Sequence, residues 1–227
     1  ENRQAIFVGE PEDVPDSRFG FLLPNRRRHA ETNYRFIGYI VLFDPEEFTD
    51  REQIREELGY DARPLVVCSI GGTSIGKDLL VLCNKSYPFM KEMAPDLHMV
   101  FVTGPRLAPE TLDVHPQIEV KGFVPDLFKH YAASDLSIVQ GGFSSTLELT
   151  TLRRPFIFFP IEGHSEQEYV AERLARYNAG LRMNLSETSP SILADRVVSN
   201  MNKDVSYKPI STDGALRAAK AINQMLQ

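Results

Sequence analysis

Apolar, β-rich runs that alternate with amphipathic stretches of helical period predict an α/β protein with a Rossmann-like parallel sheet and helices on both faces. Three observations carry that prediction. The strand candidates are continuously apolar rather than alternating, which requires burial on both faces. Helix-length segments separate them, as parallel strands need. Hydrophobic residues make up 42% and charged residues 25% of the 227, the make-up of an ordinary folded domain.

Taken in order, the first 50 or so residues differ from the rest. "GEPEDVPDSRFGFLLPNRRR" is rich in proline and charge, and only "AIFV" and "RFIGYIVLF" read as strands. Residues 1–50 are therefore expected to be an interdomain linker with edge elements, and 51–227 a single ligand-binding domain. The basic "NRRRH" at 25–29 reads as a solvated loop or a docking surface. From residue 65 the expected strands are "LVVCSI" (65–70), "HMVFVT" (98–103), "IEVKG" (118–122), "LSIVQ" (136–140) and "FIFF" (156–159). Helices are expected at about 77–93, 125–133, 145–153 and 165–177. "SPSILADRVVSNMN", with a Ser-Pro start signal, and "TDGALRAAKAINQMLQ" close the chain as further helices.

Charge and composition exclude several classes of function. A net charge of -6 without a basic stripe argues against a nucleic-acid partner. The longest apolar runs, such as "FIFFPI", fall far short of the roughly 20 residues of a membrane-spanning helix. Cys68 and Cys83 have neither zinc-site nor disulfide-framework spacing, so a reducing, cytoplasmic location is expected. Attachment of a longer parent to a membrane surface is left open. The chain begins at Glu1 without the layout of a signal peptide and reads as part of something longer.

Ligands of open parallel sheets bind beyond the carboxyl ends of the strands, so the strand-to-helix turns are the places to search. The first, "SIGGTSIGK" at 69–77, places Gly71, Gly72, Thr73 and Ser74 where a helix begins. Glycines admit close backbone approach and helix-start amides attract anions, although the spacing is neither a Walker loop nor GxGxxG. By itself it fits a ligand loop or a tight turn equally well. In the second, "QGGFSSTLE", Gln140, Gly141 and Gly142 are followed by the hydroxyls of Ser144, Ser145 and Thr146 and by the carboxylate of Glu148. A structural turn needs one capping residue, and this one carries more polar groups than that, which favours a ligand. Glu148 reads as an acid near the positive end of a helix dipole or as an acceptor for paired sugar hydroxyls. The third, "FPIEGHSEQEYV", brings His164, Glu166 and Gln167 to the same edge. His164 is open to a loop role, a ligand contact or catalysis, and no second His has metal-site spacing.

These turns resemble the C-terminal, sugar-nucleotide-binding half of the GT-B glycosyltransferases. The likeness is carried by "SIGGTSIGK", "GFVPDLFKHYAASDLSIVQGG", "SSTLE" and the "P…EQ" loop, in that order, over nearly all of 65–183. It looks closest to the bacterial enzyme that adds N-acetylglucosamine to lipid-linked muramyl-pentapeptide, and more distantly to UDP-glucuronosyl and antibiotic glycosyltransferases. The resemblance implies a UDP-sugar across the sheet's carboxyl edge. Phe123 and Val124 would lie against uracil, and Gly141, Gly142, Ser144, Ser145 and Thr146 would hold the diphosphate. Glu148 would bind the ribose, while Gln167, with Glu166 beside it, would meet the transferred sugar. Arg106 after "FVTG" could add a cation or serve only the surface. No metal and no cofactor other than the donor is expected. Gln140 stands where many relatives have His, Ser144 where many have Asn, and Val170 where an Asn is common, which leaves the donor sugar open. The family's acceptor pocket and general base belong to an N-terminal domain that nothing here matches, so that domain is expected in the same parent chain or in a partner subunit. The leading function is thus the donor half of an inverting, metal-independent glycosyltransferase, inactive by itself. The alternatives are an enzyme like UDP-N-acetylglucosamine 2-epimerase, whose expected acid and His clusters are not evident, and a non-catalytic sugar-nucleotide-binding module.

Overall fold

A computed structural model of the protein describes residues 5–72 and 76–226. Phe43–Lys208 form one compact unit, and the stretches on either side of it form a second. The sequence division at residue 50 had kept the C-terminal helix with the sheet domain, whereas the structure groups that helix with the opening residues.

In the smaller unit, β1 (Ala5–Phe7) pairs in parallel with β2 (Tyr34–Phe36), and α1 (Arg26–Asn33) lies between them in the chain. "NRRRH" is therefore not a loop. Asn25 caps α1, its side chain accepting the Arg28 amide at 3.0 Å. The expected strand at "RFIGYIVLF" stops after Phe36, because Gly38 turns left-handed at φ +74 and leaves only isolated bridges to Gly9 and from Ile40 to Asp213.

The larger unit opens with α2 (Arg51–Leu58), followed by β3 (Leu65–Ser69), α3 (Lys77–Met93), β4 (His98–Val102) and β5 (Glu119–Lys121). The chain then returns through α4 (Leu127–Ala133), β6 (Leu136–Val139), α5 (Phe143–Thr151), β7 (Phe156–Phe158), α6 (Ser165–Tyr177), β8 (Leu181–Arg182) and α7 (Pro190–Asn200). All neighbouring strands are parallel, in the order β5-β4-β3-β6-β7-β8. The strands β3, β6 and β7 are buried throughout, as their unbroken apolar character requires. Right-handed crossovers put α3 on one face and α4, α5 and α6 on the other, and α7 returns to pack on α3. Leu79, Leu80, Cys83, Tyr87 and Met90 of α3 recur at helical spacing and bury against Val66, Cys68, Met99 and Phe101.

The amino ends of the central strands are tied by a single buried carboxylate. Asp135, 3% exposed, accepts the Leu65 amide at 2.6 Å and pairs with Arg55 at 2.6 Å and Arg51 at 2.5 Å. Breaking such a group costs about 3–5 kcal/mol, because its partners stay buried without it. In the smaller unit the final helix, α8 (Gly214–Met225), abuts the opening residues so tightly that a side chain at Gly214 would meet the Tyr39 carbonyl oxygen at 2.5 Å.

Candidate functional site

The strand order reverses between β3 and β6. The chain runs outward from β3 to β5 and then comes back to the other side of β3, so the carboxyl ends of β3 and β6 bound the ligand crevice of an open α/β sheet. Both glycine turns leave from these two ends.

Gly71 is left-handed at φ +72, and Gly71 and Gly72 are exposed with open space around them. Thr73 and Ser74 lie outside the described residues. The turn is backed by Gly104, also left-handed at φ +74, where a Cβ would stand 2.2 Å from the Gly71 carbonyl oxygen. Across the crevice, the Gln140 side chain folds over the start of α3, its Oε1 only 2.9 Å from where a Cβ on Gly76 would sit. The two turns are thus in contact through backbone that only glycine allows.

At the end of β6, Gly141 takes φ +78 and Gly142 becomes the N-cap of α5, with no side-chain cap. The first intrahelical bond, from the Thr146 amide, reaches Gly142 at 3.2 Å. The amides of Ser144 and Ser145 stand in the first turn of a helix without a side-chain cap, and such groups at the positive end of a helix dipole attract an anion. Ser144 is exposed and Ser145 half-buried.

Thr146 departs from its expected role as a donor toward the crevice. Its side chain is fully buried, donates to the Gly142 carbonyl at 2.9 Å and accepts from Arg173 at 2.9 Å. The β-branched hydroxyl has bonded back to its own helix, as threonines in helices commonly do. Arg173 also lies 4.3 Å from the centre of the Phe143 ring, so α6 clamps the first turn of α5.

Glu148 lies one helical turn below Ser145. Its carboxyl is partly buried, forms no ion pair or hydrogen bond with any described residue, and is raised by burial to about 7. A carboxyl group held there with open valences is poised to accept hydroxyl protons. Near it, the fully buried Tyr131 hydroxyl bonds the Ser69 hydroxyl at 2.6 Å and lies close to the Ser145 side chain, at the junction of β3 and α5. Nothing in "HYAASD" separates Tyr131 from an ordinary core residue, and sequence reasoning did not find it.

The other expected contacts sit around this centre. Phe123 is 70% exposed and Val124 half-buried in the loop before α4. Arg106 is exposed. Gln167 is buried, and its Oε1 accepts the Ile161 amide at 2.8 Å while lying 3.6 Å from an added Cβ on Gly141. One half of that side chain therefore braces its own loop. Glu166 and His164 are exposed, and His164 begins α6 through its carbonyl rather than its ring. A cavity of about 640 Å³ adjoins Gln140 and Pro160 and runs between α3 and the loop before α7. Its walls are largely apolar, Leu79, Leu82, Phe159 and Ile161 among them, with Lys85, Ser186 and the carboxylates of Asp78 and Glu162 at its edge. The polar groups converge instead on the uncapped end of α5.

Residues 66–225 match the glycosyltransferase family 28 C-terminal domain. The chain belongs to this family. An uncharacterized glycosyltransferase of Methanosarcina acetivorans is 36% identical over 104 residues, 45% of this chain and 27% of that protein. The UDP-N-acetylglucosamine–N-acetylmuramyl-(pentapeptide) pyrophosphoryl-undecaprenol N-acetylglucosamine transferase of Acidiphilium cryptum is 33% identical over 76 residues, 34% of this chain and 21% of that one. Among solved structures, the calicheamicin glycosyltransferase superimposes with a TM-score of 0.64 at 17% identity, covering 98% of this chain and 52% of its own. The family 28 domain described here thus has the fold of the C-terminal half of a GT-B glycosyltransferase, and the chain spans from about a fifth to about half of the length of these proteins. No described helix is long and apolar enough to cross a membrane.

Proposed function

We propose that this domain holds the UDP-sugar donor of an inverting, metal-independent glycosyltransferase whose acceptor is a hydroxyl compound. The observation that carries the reading is the uncapped start of α5 at the switch point, with the unpaired Glu148 carboxyl one turn below it. A diphosphate takes hydrogen bonds from the amides and hydroxyls of Ser144 and Ser145. Ionised Glu148 accepts both ribose hydroxyls, uracil lies against Phe123 and Val124, and the sugar extends toward Glu166 and Gln167. The pairing of nucleotide with sugar draws on the family match and on the donor named for the Acidiphilium relative.

In the reaction, the acceptor oxygen forms a bond to the anomeric carbon as that carbon's bond to the UDP oxygen breaks. UDP leaves with the electron pair, and the acceptor proton passes to a base on the acceptor-binding domain or subunit. This domain contributes stabilisation of the departing diphosphate by fixed amides and the α5 dipole, which need no reorganisation as charge develops. That is the case for metal independence.

The test compares ligands that differ by one group. UDP should bind at least about tenfold tighter than 2′-deoxy-UDP, the worth of a charge-assisted hydrogen bond. Gln167→Ala should weaken a UDP-sugar more than UDP. Equal affinity for UDP and its deoxy form would remove Glu148 from the ribose, and equal losses for both ligands would remove Gln167 from the sugar.

A further inference from the structure

Four exposed large apolar side chains of the smaller unit are gathered on one turn. Phe21 is 91% and Leu22 89% exposed, with Leu23 at 54% and Phe19 at 50%. This turn is not slack chain. The Phe19 amide bonds the Pro24 carbonyl at 3.1 Å, the Leu23 amide bonds Gly20 at 3.1 Å, the Arg26 amide bonds Ser17 at 2.8 Å, and Arg18 bridges to Asn25 in antiparallel fashion. The stem is also packed, with the Arg26 guanidinium 5.3 Å from the Phe19 ring centre and the His29 ring edge-on to it at 5.7 Å. A closed hairpin therefore presents Phe21 and Leu22 at its tip, in a geometry that costs no further ordering on contact.

Charge says what the tip meets. In a chain of net charge -6, residues 17–30 contain Arg18, Arg26, Arg27 and Arg28 and no acid. Of the two acids that border this segment, Asp16 is engaged by the Asn25 amide at 2.7 Å and by Arg27 at 3.7 Å, and Glu31 is exposed on α1. Arg18 and Arg28 are exposed and make no ion pair with a described residue. An apolar tip ringed by cations matches a lipid surface, where hydrocarbon takes the tip and anionic headgroups take the ring.

We propose that the 17–30 hairpin is a membrane-contact element that inserts Phe21 and Leu22 into an anionic bilayer surface and seats Arg18 and Arg28 among its headgroups. The test is co-sedimentation of the protein with vesicles of phosphatidylcholine, with and without phosphatidylglycerol. The protein should bind only the anionic vesicles, and less well as salt rises from about 0.1 to about 0.5 M and the screening length shortens. Phe21→Ser with Leu22→Ser should lower that binding at least about tenfold, since both apolar anchors are lost. Arg18→Gln with Arg28→Gln should lower it about twentyfold, each cation near an anionic surface being worth roughly a factor of five. Because these side chains pack on little else, both variants should keep the parental melting temperature. Absence of vesicle binding, equal binding to neutral vesicles, or full binding by either double variant would overturn the proposal. So would a dimer in light scattering that Phe21→Ser with Leu22→Ser disperses, or loss of vesicle binding in a longer protein whose added residues cover the tip.

Discussion

Glu148 carries the account at the scale of single residues. Its carboxyl is raised to about 7 because burial penalises the charged form. A carboxyl that holds its proton more tightly in the folded state than in the unfolded one makes the fold lose stability as pH rises from the ordinary carboxylate range to about 7, and the loss is constant above that. His130, lowered by burial to about 4 and hydrogen-bonded to Tyr60 at 2.7 Å, acts in the opposite sense, adding stability as pH rises from about 4 to the ordinary imidazole range. The difference between parental protein and Glu148→Gln cancels the histidine. Chemical denaturation should therefore find Glu148→Gln more stable at pH 8, by on the order of 1–2 kcal/mol, with the gap closing toward pH 4.5. A gap independent of pH would mean that Glu148 is solvated like a surface acid. The sequence placed this carboxylate on the helix after the glycine turn, and its spacing alone fixed which turn it would occupy. Its lack of partners was not legible there, because that depends on the loops from two other strands.

At the scale of elements, the ends of β3 and β6 and the start of α5 act as one assembly. Tyr131 on α4 holds the Ser69 hydroxyl and lies close to Ser145, and Arg173 on α6 holds Thr146. Tyr131→Phe keeps the ring in the core and strands the buried Ser69 hydroxyl, which should cost about 1–3 kcal/mol by thermal or chemical unfolding. The same variant should weaken UDP more than uridine, because the junction it loosens adjoins the proposed diphosphate site. Equal weakening of the two ligands would leave Tyr131 a packing residue only. Most of these elements were readable from period and apolar content: α3 and α6 span the expected residues, and five strands fall inside the expected runs. β8 was not, since its two residues, Leu181 and Arg182, are exposed and carry no run. The start of α5 falls two residues before the expected 145, because Gly142 rather than a serine is its N-cap.

At the scale of the whole molecule, the donor site belongs to one unit. Every proposed contact that the structure describes, from Gly71 to Gln167, lies within Phe43–Lys208, together with the core on both faces of the six-stranded sheet. That unit expressed alone should unfold in a single cooperative transition and bind UDP within about twofold of the parental chain, a difference of under 1 kcal/mol. A molten fragment without a cooperative transition would show that the flanking stretches complete its fold. The grouping of α8 with the opening residues escaped the sequence, because the entire larger unit separates the two segments in the chain. An acceptor, a general base and the second half of a catalytic cleft are expected from the remainder of a longer protein or from a partner.

The most direct measurement is calorimetric titration of the protein with UDP and with ADP, repeated on Glu148→Ala. The account predicts that UDP binds, that ADP binds far more weakly, and that Glu148→Ala weakens UDP at least about tenfold without lowering the melting temperature. UDP and ADP binding alike, or UDP binding unchanged in Glu148→Ala, would contradict it.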